Sequence, residues 1–251
     1  MISLIFLKNV CFEAIQNKIY IFTPMLQSLI NLLFPPLCPG CEDPLPNGTA
    51  LVCATCRHNM PFTQHHIHQD NETAKKFLGR VPLEHASALL YFHKEGIVQN
   101  LIHNLKYRKQ QQVGNILGQW YAPQLTTVAA LQSVTHIIPI PLHPKKQRER
   151  GYNQAAAFGR AIAAGMGAEY NESILLRTTY NKTQTKKNRE LRGDIINAAF
   201  KVDHSNATPG SHFLIVDDVI TTGATIEACS KLLLAVPNSR VSVVTMAYAH
   251  T

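Results

Sequence analysis

Apolar residues recur along the chain in two alternating patterns, which predict strands and helices in turn. Short apolar runs predict strands at 86–92, 136–141, 213–216 and 240–248, and weaker strands at 174–176 and 198–202. Apolar positions three and four residues apart predict helices at about 96–108, 113–125, 153–164 and 224–234. Because apolar strands that alternate with helices are typical of sheets buried on both faces, we expect an α/β fold with a mostly parallel sheet and helices on both faces.

The amino-terminal part follows a different pattern. Residues 25–34 predict a short amphipathic helix that the pair Pro35-Pro36 ends. The apolar stretch 1–34 is interrupted by Lys8, Glu13 and Lys18, so it falls short of the roughly 20 clean apolar residues of a membrane-spanning helix. It also has neither the basic start nor the cleavage site of a signal peptide. We expect a cytoplasmic protein without stable membrane insertion, and we interpret residues 1–24 as an extension upstream of a natural start at Met25.

Four of the six cysteines form two closely spaced pairs, Cys38-x-x-Cys41 and Cys53-x-x-Cys56. A two-residue spacer lets both thiolates of a pair reach one metal ion, and paired spacers of this kind are typical of four-cysteine zinc sites. A disulfide framework would suit a shorter, secreted chain. We therefore predict a structural zinc ion bound by Cys38, Cys41, Cys53 and Cys56, within a helix-plus-zinc module at residues 25–62. The polar residues 63–85 are interpreted as a linker to an α/β domain at 86–251.

The net charge of +8 is concentrated in two short segments. Residues 145–150 carry a net +3 and residues 177–192 a net +5, which together account for the whole excess. Such segments are either solvated loops or surfaces for polyanions, including nucleic acids. The hydrophobic fraction of 45% excludes a largely disordered chain.

The most informative chemistry lies where the apolar strand 213–216 is followed by Asp217 and Asp218. In open parallel sheets ligands bind beyond the carboxyl ends of the strands, so the two acids are placed at a site. The first amides and the dipole of the helix that follows favour a phosphate group, and a ribose or a hydrated magnesium ion would satisfy the acids. An acid pair that only caps the helix is the alternative. The turn that opens the helix is Thr221, Thr222, Gly223, Ala224 and Thr225.

This segment resembles the phosphoribosyl pyrophosphate motif of the phosphoribosyltransferases. The resemblance implies that the turn 221–225 holds the 5-phosphate and that Asp217 and Asp218 act as the catalytic pair on the ribose, directly or through magnesium. It also implies a pyrophosphate-binding loop after the strand 136–141, and a polar segment at 177–200 that closes over the substrate. Loops without a role are the alternative for both. The loop residues that the resemblance assigns to the ligand are Leu142, His143, Arg148 and Arg150.

A combination of further motifs resembles the ComF family. The likeness covers about residues 32–248, and it implies a zinc module joined to a type I phosphoribosyltransferase-like fold. It also implies a role in natural competence and in the uptake of single-stranded DNA; members are described as amidophosphoribosyltransferase-like as well. Besides the cysteines and the acid–threonine segment, the motifs are Leu105-Lys106-Tyr107, Pro139-Ile140-Pro141, Arg150-Gly151-Tyr152-Asn153-Gln154 and the run from Arg177 to Gln184.

These patterns favour a protein that binds phosphoribosyl pyrophosphate with magnesium and acts in competence, with single-stranded DNA and competence proteins such as a helicase as partners. An active phosphoribosyltransferase of nucleotide metabolism is the first alternative, and a non-catalytic sensor of the ligand is the second. The sequence shows no evident general base and no signature of nucleobase recognition. It therefore predicts neither the acceptor nor whether the chain is an enzyme.

Overall fold

A computed structural model of the chain describes residues 31, 35–45, 51–178 and 199–250. The strands of these residues are β1 (His85–Phe92), β2 (His136–Pro139), β3 (Glu169–Tyr170), β4 (Leu175–Arg177), β5 (Phe200–Val202), β6 (His212–Ile220) and β7 (Arg240–Ala249). Five of them form a central sheet with the strand order β1-β7-β6-β2-β3, in which every neighbouring pair is parallel. The other two, β4 and β5, pair with each other in antiparallel fashion outside this sheet.

Helices connect the strands and cover the sheet. The longer ones are the three that follow β1 and β2 and the one that joins β6 to β7. None of the described helices is both long enough and apolar enough to span a membrane. The helices are α1 (Ala54–His58), α2 (Glu72–Lys75), α3 (Ile97–Tyr107), α4 (Gln112–Leu125), a 3-10 turn (Ala129–Leu131), α5 (Pro144–Arg150), α6 (Gln154–Met166) and α7 (Ala224–Leu234).

Strand β6 runs through the middle of the sheet and is buried on both faces. Leu214 and Val216 belong to a core that the zinc module, α3, α4 and α6 complete. Phe213 and Ile215 point the other way, into a core shared with α7 and the β4–β5 pair. Successive side chains of a strand face opposite sides, so each face takes alternate residues. The parallel sheet with helices on both faces is thus confirmed, as is the four-cysteine module before it.

One difference from the sequence prediction shapes the site. The strand expected to end at Val216 continues to Ile220, because β7 keeps pairing with it as far as the Ile220–Tyr248 pair. Strand β2 is much shorter, and its last pair joins Pro139 to Val216. Beyond Val216, β6 therefore has a neighbour on one side only. The predicted acids lie in this half-paired stretch, beside the crevice that the end of β2 leaves open.

The weak strand candidates at 174–176 and 198–202 do not extend the sheet. They correspond to β4 and β5, which form the separate antiparallel pair. Residues 179–198, which hold most of the basic run between them, are not among the described residues. The same is true of residues 1–24 and of most of the predicted helix 25–34.

The segment 63–85, interpreted as a linker, packs closely on the sheet. Its Asn71 side chain donates hydrogen bonds to the carbonyl oxygens of His65, His68 and Ala86, the last of which belongs to β1. Phe77 is 2% exposed and packs in the core on the α7 side. This segment is therefore part of the scaffold around the carboxyl edge of the sheet.

Candidate functional site

The four predicted zinc ligands lie together. The Sγ atoms of Cys38, Cys41, Cys53 and Cys56 are all within 4.8 Å of one another. A tetrahedral ion with zinc–sulfur bonds of about 2.3 Å requires sulfur–sulfur separations of about 3.8 Å, and the Sγ atoms of Cys41 and Cys53 are 3.7 Å apart. The residues fit a zinc ion, and the chain carries a four-cysteine zinc-ribbon site.

Backbone amides donate hydrogen bonds to two of the ligand sulfurs and favour the thiolate of Cys38, whereas the pKa values of Cys41 and Cys56 are raised, for Cys56 mainly by burial. The amide of Cys53 donates to Cys38 Sγ over 3.4 Å, and the amide of Cys56 donates to Cys53 Sγ over 3.3 Å. Burial raises the pKa of Cys38, but hydrogen bonds from the amides of Cys53, Gly40 and Cys41 outweigh it and lower the pKa to about 7. Gly40 is required by close approach, since a Cβ atom there would lie 2.9 Å from Cys56 Sγ.

The two acids of β6 face opposite sides of the sheet. Asp218 points toward α3 and α6, where Lys106 Nζ lies 3.0 Å from its Oδ2 and Gln154 Nε2 donates to the same oxygen over 2.6 Å. Asp218 is only 5% exposed, and a buried carboxylate is tolerated when it is paired and hydrogen-bonded in this way. Asp217 lies on the α7 side, and its Oδ1 accepts a hydrogen bond from the Asp218 amide over 2.8 Å.

Asp217 is the less satisfied of the two. Burial, and then the charge of Asp218, raise the pKa of Asp217 to about 7, although Lys106 and Arg150 act in the opposite direction. The negative charge of this carboxylate is therefore less well compensated than that of an ordinary exposed aspartate. A cation placed beside it would stabilise the charged form, which is the behaviour expected of a group that binds a metal ion or a cationic ligand.

The turn after β6 forms a small hollow at the start of α7. The hollow has a volume of about 60 Å³ and is lined by Asp217 and residues 219–226, whereas one water molecule needs only about 10–15 Å³. Gly223 precedes the helix with φ 76°, a conformation that favours glycine. Because glycine has no side chain, nothing at this position caps or covers the first amides of the helix. The first amide that bonds within the helix is that of Glu227, to the Gly223 carbonyl. The Ala224 amide donates to the Thr222 hydroxyl over 3.4 Å, whereas the amides of Thr225 and Ile226 precede the first helical bond, and such amides commonly bind anions.

Two residues of the segment 63–85, Phe77 and Arg80, contact this turn. Phe77 packs under Gly223, where a Cβ atom would lie 3.0 Å from Phe77 Cε1. Arg80 Nη1 donates to the Thr222 carbonyl over 2.9 Å, and its Nη2 pairs with the Glu227 carboxylate. The side chains of Thr221 and Thr222 are exposed, on the open side of the turn.

The predicted pyrophosphate loop is largely helical. Residues Pro144–Arg150 form α5, with His143 as N-cap: its Nδ1 accepts a hydrogen bond from the Lys145 amide over 3.1 Å. The proline at the first helical position and the basic residues in the last turn favour this short helix. Arg148 is exposed and has no hydrogen bond or ion pair with another described residue, and Leu142 is half-buried.

Arg150 is connected to the acids through one intermediate. Its Nη1 donates to Gln154 Oε1 over 2.7 Å, and Gln154 in turn donates to Asp218. The Arg150 guanidinium also lies over the ring of Tyr107, 5.6 Å from its centroid. The structure therefore brings Arg150 into the crevice with the acids, while His143 and Arg148 lie on α5 without such a contact.

A larger cavity of about 360 Å³ opens on the α3 side of Asp218. Its walls combine apolar surface with a few polar groups, which is the usual character of a pocket for a small organic molecule. Residues that line it include Phe92, Ile102, His103, Tyr107, Val219 and Thr221.

Sequence reasoning about single residues did not identify Lys106, Gln154, Phe77 or Arg80 as parts of the site. Lys106 and Gln154 lie far from Asp218 in the chain, and their ion pair and hydrogen bond form only once α3 and α6 are packed on the sheet. A signal for both was present, because they belong to the motifs Leu105-Lys106-Tyr107 and Arg150 to Gln154 that carry the family resemblance. Phe77 and Arg80 had no comparable signal.

Comparison with protein families gives a match to the double zinc ribbon domain at residues 29–67. The chain is 24% identical to the DNA utilization protein YhgH of Escherichia coli (strain K12), over 81% of this chain and 92% of that protein. It is 22% identical to the competence protein ComFC of Bacillus subtilis, over 79% of this chain and 78% of that protein. It is 36% identical to competence protein F of Haemophilus influenzae, over 39% of this chain and 43% of that protein.

Among solved structures, the fold is similar to glutamine phosphoribosylpyrophosphate amidotransferase of B. subtilis, with a TM-score of 0.41 and 15% identity over 57% of this chain and 30% of that one. It is also similar to adenine phosphoribosyltransferase of Leishmania tarentolae, with a TM-score of 0.36 and 11% identity over 72% of this chain and 89% of that one. At these scores the likeness carries no weight for function.

The raised pKa of Asp217 predicts a stability effect with a definite sign. Between pH 3.8, the ordinary pKa, and about 7, the folded state holds a proton that the unfolded state has lost, so stability falls as the pH rises through this window. Asp217→Asn removes this loss. We expect its melting temperature to exceed that of the wild type above pH 7 by about 2–4 °C for each kcal/mol gained, and the difference to shrink as the pH approaches 4.

Thermal unfolding measured between pH 4 and 8 checks this expectation. Asp203→Asn is the matched control, since hydrogen bonds from the Ser205 hydroxyl and amide lower the pKa of Asp203 and its replacement brings no gain at pH 8. Equal melting temperatures for the wild type and Asp217→Asn at pH 8 would contradict the account of the site.

Proposed function

We propose that this chain, which belongs to the ComF family of competence and DNA utilization proteins, binds phosphoribosyl pyrophosphate with magnesium in the crevice beside Asp217 and Asp218. In this role it serves the handling of incoming single-stranded DNA in the cytoplasm, where reducing conditions suit a four-thiolate zinc site. One observation carries the proposal: β6 extends beyond the last residue that β2 pairs with, and this extension places Asp217 at the hollow of the following turn and Asp218 at the cavity on the α3 side.

The 5-phosphate fits the hollow of residues 221–225. Exposed threonine hydroxyls and the first amides of α7 supply donors, and the helix dipole favours a dianion. Arg80 and Phe77 hold the turn from the opposite side. The turn is therefore supported before the ligand arrives, which reduces the entropic cost of binding.

The two acids have different roles in this proposal. Asp218 already has Lys106 and Gln154 as partners, so it suits the fixed orientation of a ribose hydroxyl. Asp217 has a raised pKa and gains most from a nearby cation, so it suits a magnesium ion that accompanies the pyrophosphate. Lys106 and Arg150 add the positive charge that a departing pyrophosphate would require. The cavity beside Asp218 offers space for an acceptor.

Binding of the ligand is tested by calorimetry with phosphoribosyl pyrophosphate and magnesium at pH 8. We expect the wild type to bind, and Asp217→Asn to bind at least about tenfold more weakly because the cation loses its carboxylate. Binding by the wild type weakens as the pH falls below about 7, where Asp217 takes up a proton. Arg160→Ala is the control, since Arg160 pairs with Glu172 on the outer side of α6, and its affinity stays unchanged.

The absence of wild-type binding would overturn the proposal. Where binding occurs, pyrophosphate release in the presence of a panel of nucleobases separates an active transferase from a sensor. A transferase releases pyrophosphate with at least one acceptor, and a sensor binds the ligand and releases none.

A second candidate function is direct contact with single-stranded DNA next to the same crevice. Tyr107 is 66% exposed, the guanidinium of Arg150 lies over its ring, and the His103 ring centroid is 5.0 Å from its own. An exposed aromatic ring beside a basic side chain is the usual platform on which a nucleic-acid base stacks. Arg150 is the last residue of α5, in which Lys145, Lys146 and Arg148 are exposed.

Stacking on Tyr107 is tested with a fluorescent oligothymidine at several salt concentrations. Tyr107→Ala is expected to weaken binding about five- to a hundredfold, the range that loss of one stacked base gives. Tyr107→Phe keeps the ring and keeps the affinity. Equal loss in both variants, or no loss in either, would argue against stacking at this position.

A further inference from the structure

The zinc ribbon is fastened to the sheet domain through α3. Asn100 Nδ2 donates to the Gly40 carbonyl over 2.8 Å, and Asn104 Nδ2 donates to the Pro39 carbonyl over the same distance. Pro39 and Gly40 are the two residues between the ligands Cys38 and Cys41. Two side chains of α3 therefore hydrogen-bond to the backbone of the first zinc knuckle, residues 38–41.

The last turn of the same helix is also attached to the acid crevice. One residue after Asn104, the Leu105 carbonyl accepts a hydrogen bond from the Tyr152 hydroxyl. One residue further, Lys106 Nζ lies 3.0 Å from Asp218 Oδ2. The last turn of α3 is thus held by the zinc knuckle on one side and by the 150–154 segment and Asp218 on the other.

Asn104 occupies the central position in this chain of contacts. It is 2% exposed, and its Oδ1 has no hydrogen-bond partner among the described residues. Its side-chain amide makes its hydrogen bond across the interface through Nδ2, to the Pro39 carbonyl. Loss of that bond leaves a buried polar group unsatisfied and weakens the attachment of α3 to the knuckle, although the Asn100 bond remains.

The geometry points to Asn104 as a positioning residue that couples the zinc ribbon to the ligand crevice. A loaded knuckle holds the Pro39 carbonyl in place, Asn104 transmits that position to α3, and α3 sets Lys106 against Asp218. The inference rests on the proposed binding of phosphoribosyl pyrophosphate. Because coupling between two binding sites is reciprocal, the ligand in the crevice tightens zinc binding by the same factor by which zinc tightens ligand binding.

The coupling is measured by zinc titration against a competing chelator, with and without saturating magnesium phosphoribosyl pyrophosphate. The wild type is expected to bind zinc about five- to tenfold more tightly when the ligand is present, within the usual range of such couplings. Asn104→Leu keeps a side chain of similar size, removes the bond to Pro39 and abolishes this difference. Arg108→Ala is the control, because Arg108 also joins α3 to the ribbon through Glu42, but as an exposed pair of little energetic weight.

A second measurement does not need the ligand. Hydrogen–deuterium exchange of the zinc-loaded proteins is expected to be faster in Asn104→Leu than in the wild type for peptides that cover 105–108 and 152–154, with Arg108→Ala unchanged. Should Asn104→Leu fail to fold, Asn100→Ala releases the neighbouring bond to Gly40 and is expected to show a smaller effect of the same sign in both experiments.

The outcomes separate the two proposals. Equal zinc affinity of the wild type with and without bound ligand, or unchanged exchange in the asparagine variants, overturns the coupling while ligand binding stands. Altered exchange together with no ligand binding by the wild type supports the link from the ribbon to the crevice and overturns the proposed ligand.

Discussion

The burial of Asp218 is the constraint that the surrounding elements satisfy. A carboxylate that is 5% exposed cannot remain charged in the interior without a cation and a hydrogen-bond donor close by. Lys106 and Gln154 supply them from two different helices. The last turn of α3 and the first turn of α6 must therefore meet at the same point of β6, and the long connections around them have to permit it.

Strand length creates the place where this constraint applies. If β2 paired along all of β6, its backbone would occupy the crevice that now lies beside the acids. Because β2 stops at Pro139 while β7 continues beyond Ala247, the backbone of β6 stays held on one side and open on the other. Asp217 is left with fewer partners than Asp218 and has a raised pKa. Ionisation of Asp217 therefore lowers the stability of the folded protein, and such a loss of stability is common at residues of binding sites.

Much of this architecture could be predicted from the sequence, for reasons that are local. Helix α7 begins and ends at the predicted residues, because glycine before it and apolar spacing within it act within a few residues. The zinc ligands follow from the spacing of four cysteines. The extension of β6 to Ile220 could not be predicted, since it depends on the length of β7. The helix α5 was missed because its seven residues are mainly charged and bury none of their side chains.

Contacts between distant segments were harder to anticipate than elements. Nothing near Asp218 in the chain indicates that Lys106 will neutralise it, and nothing in the polar segment 63–85 indicates that Arg80 will hold the Thr222 carbonyl. Through these contacts the amino-terminal third of the described chain helps to form the site, which its polar composition does not indicate. Segment 63–85 supports the hollow at the start of α7 through Phe77 and Arg80, and the zinc ribbon is linked to Asp218 through α3.

The crevice is therefore built between two supports from outside the parallel sheet, and the zinc ribbon is one of them. A ribbon that served only as a separate nucleic-acid module would need no buried hydrogen bonds to the sheet domain. Asn104 makes such a bond to the backbone between two zinc ligands, and buried polar contacts of this kind fix one geometry and penalise others. Their position, two residues before the lysine that neutralises Asp218, favours a ribbon that holds the site in shape.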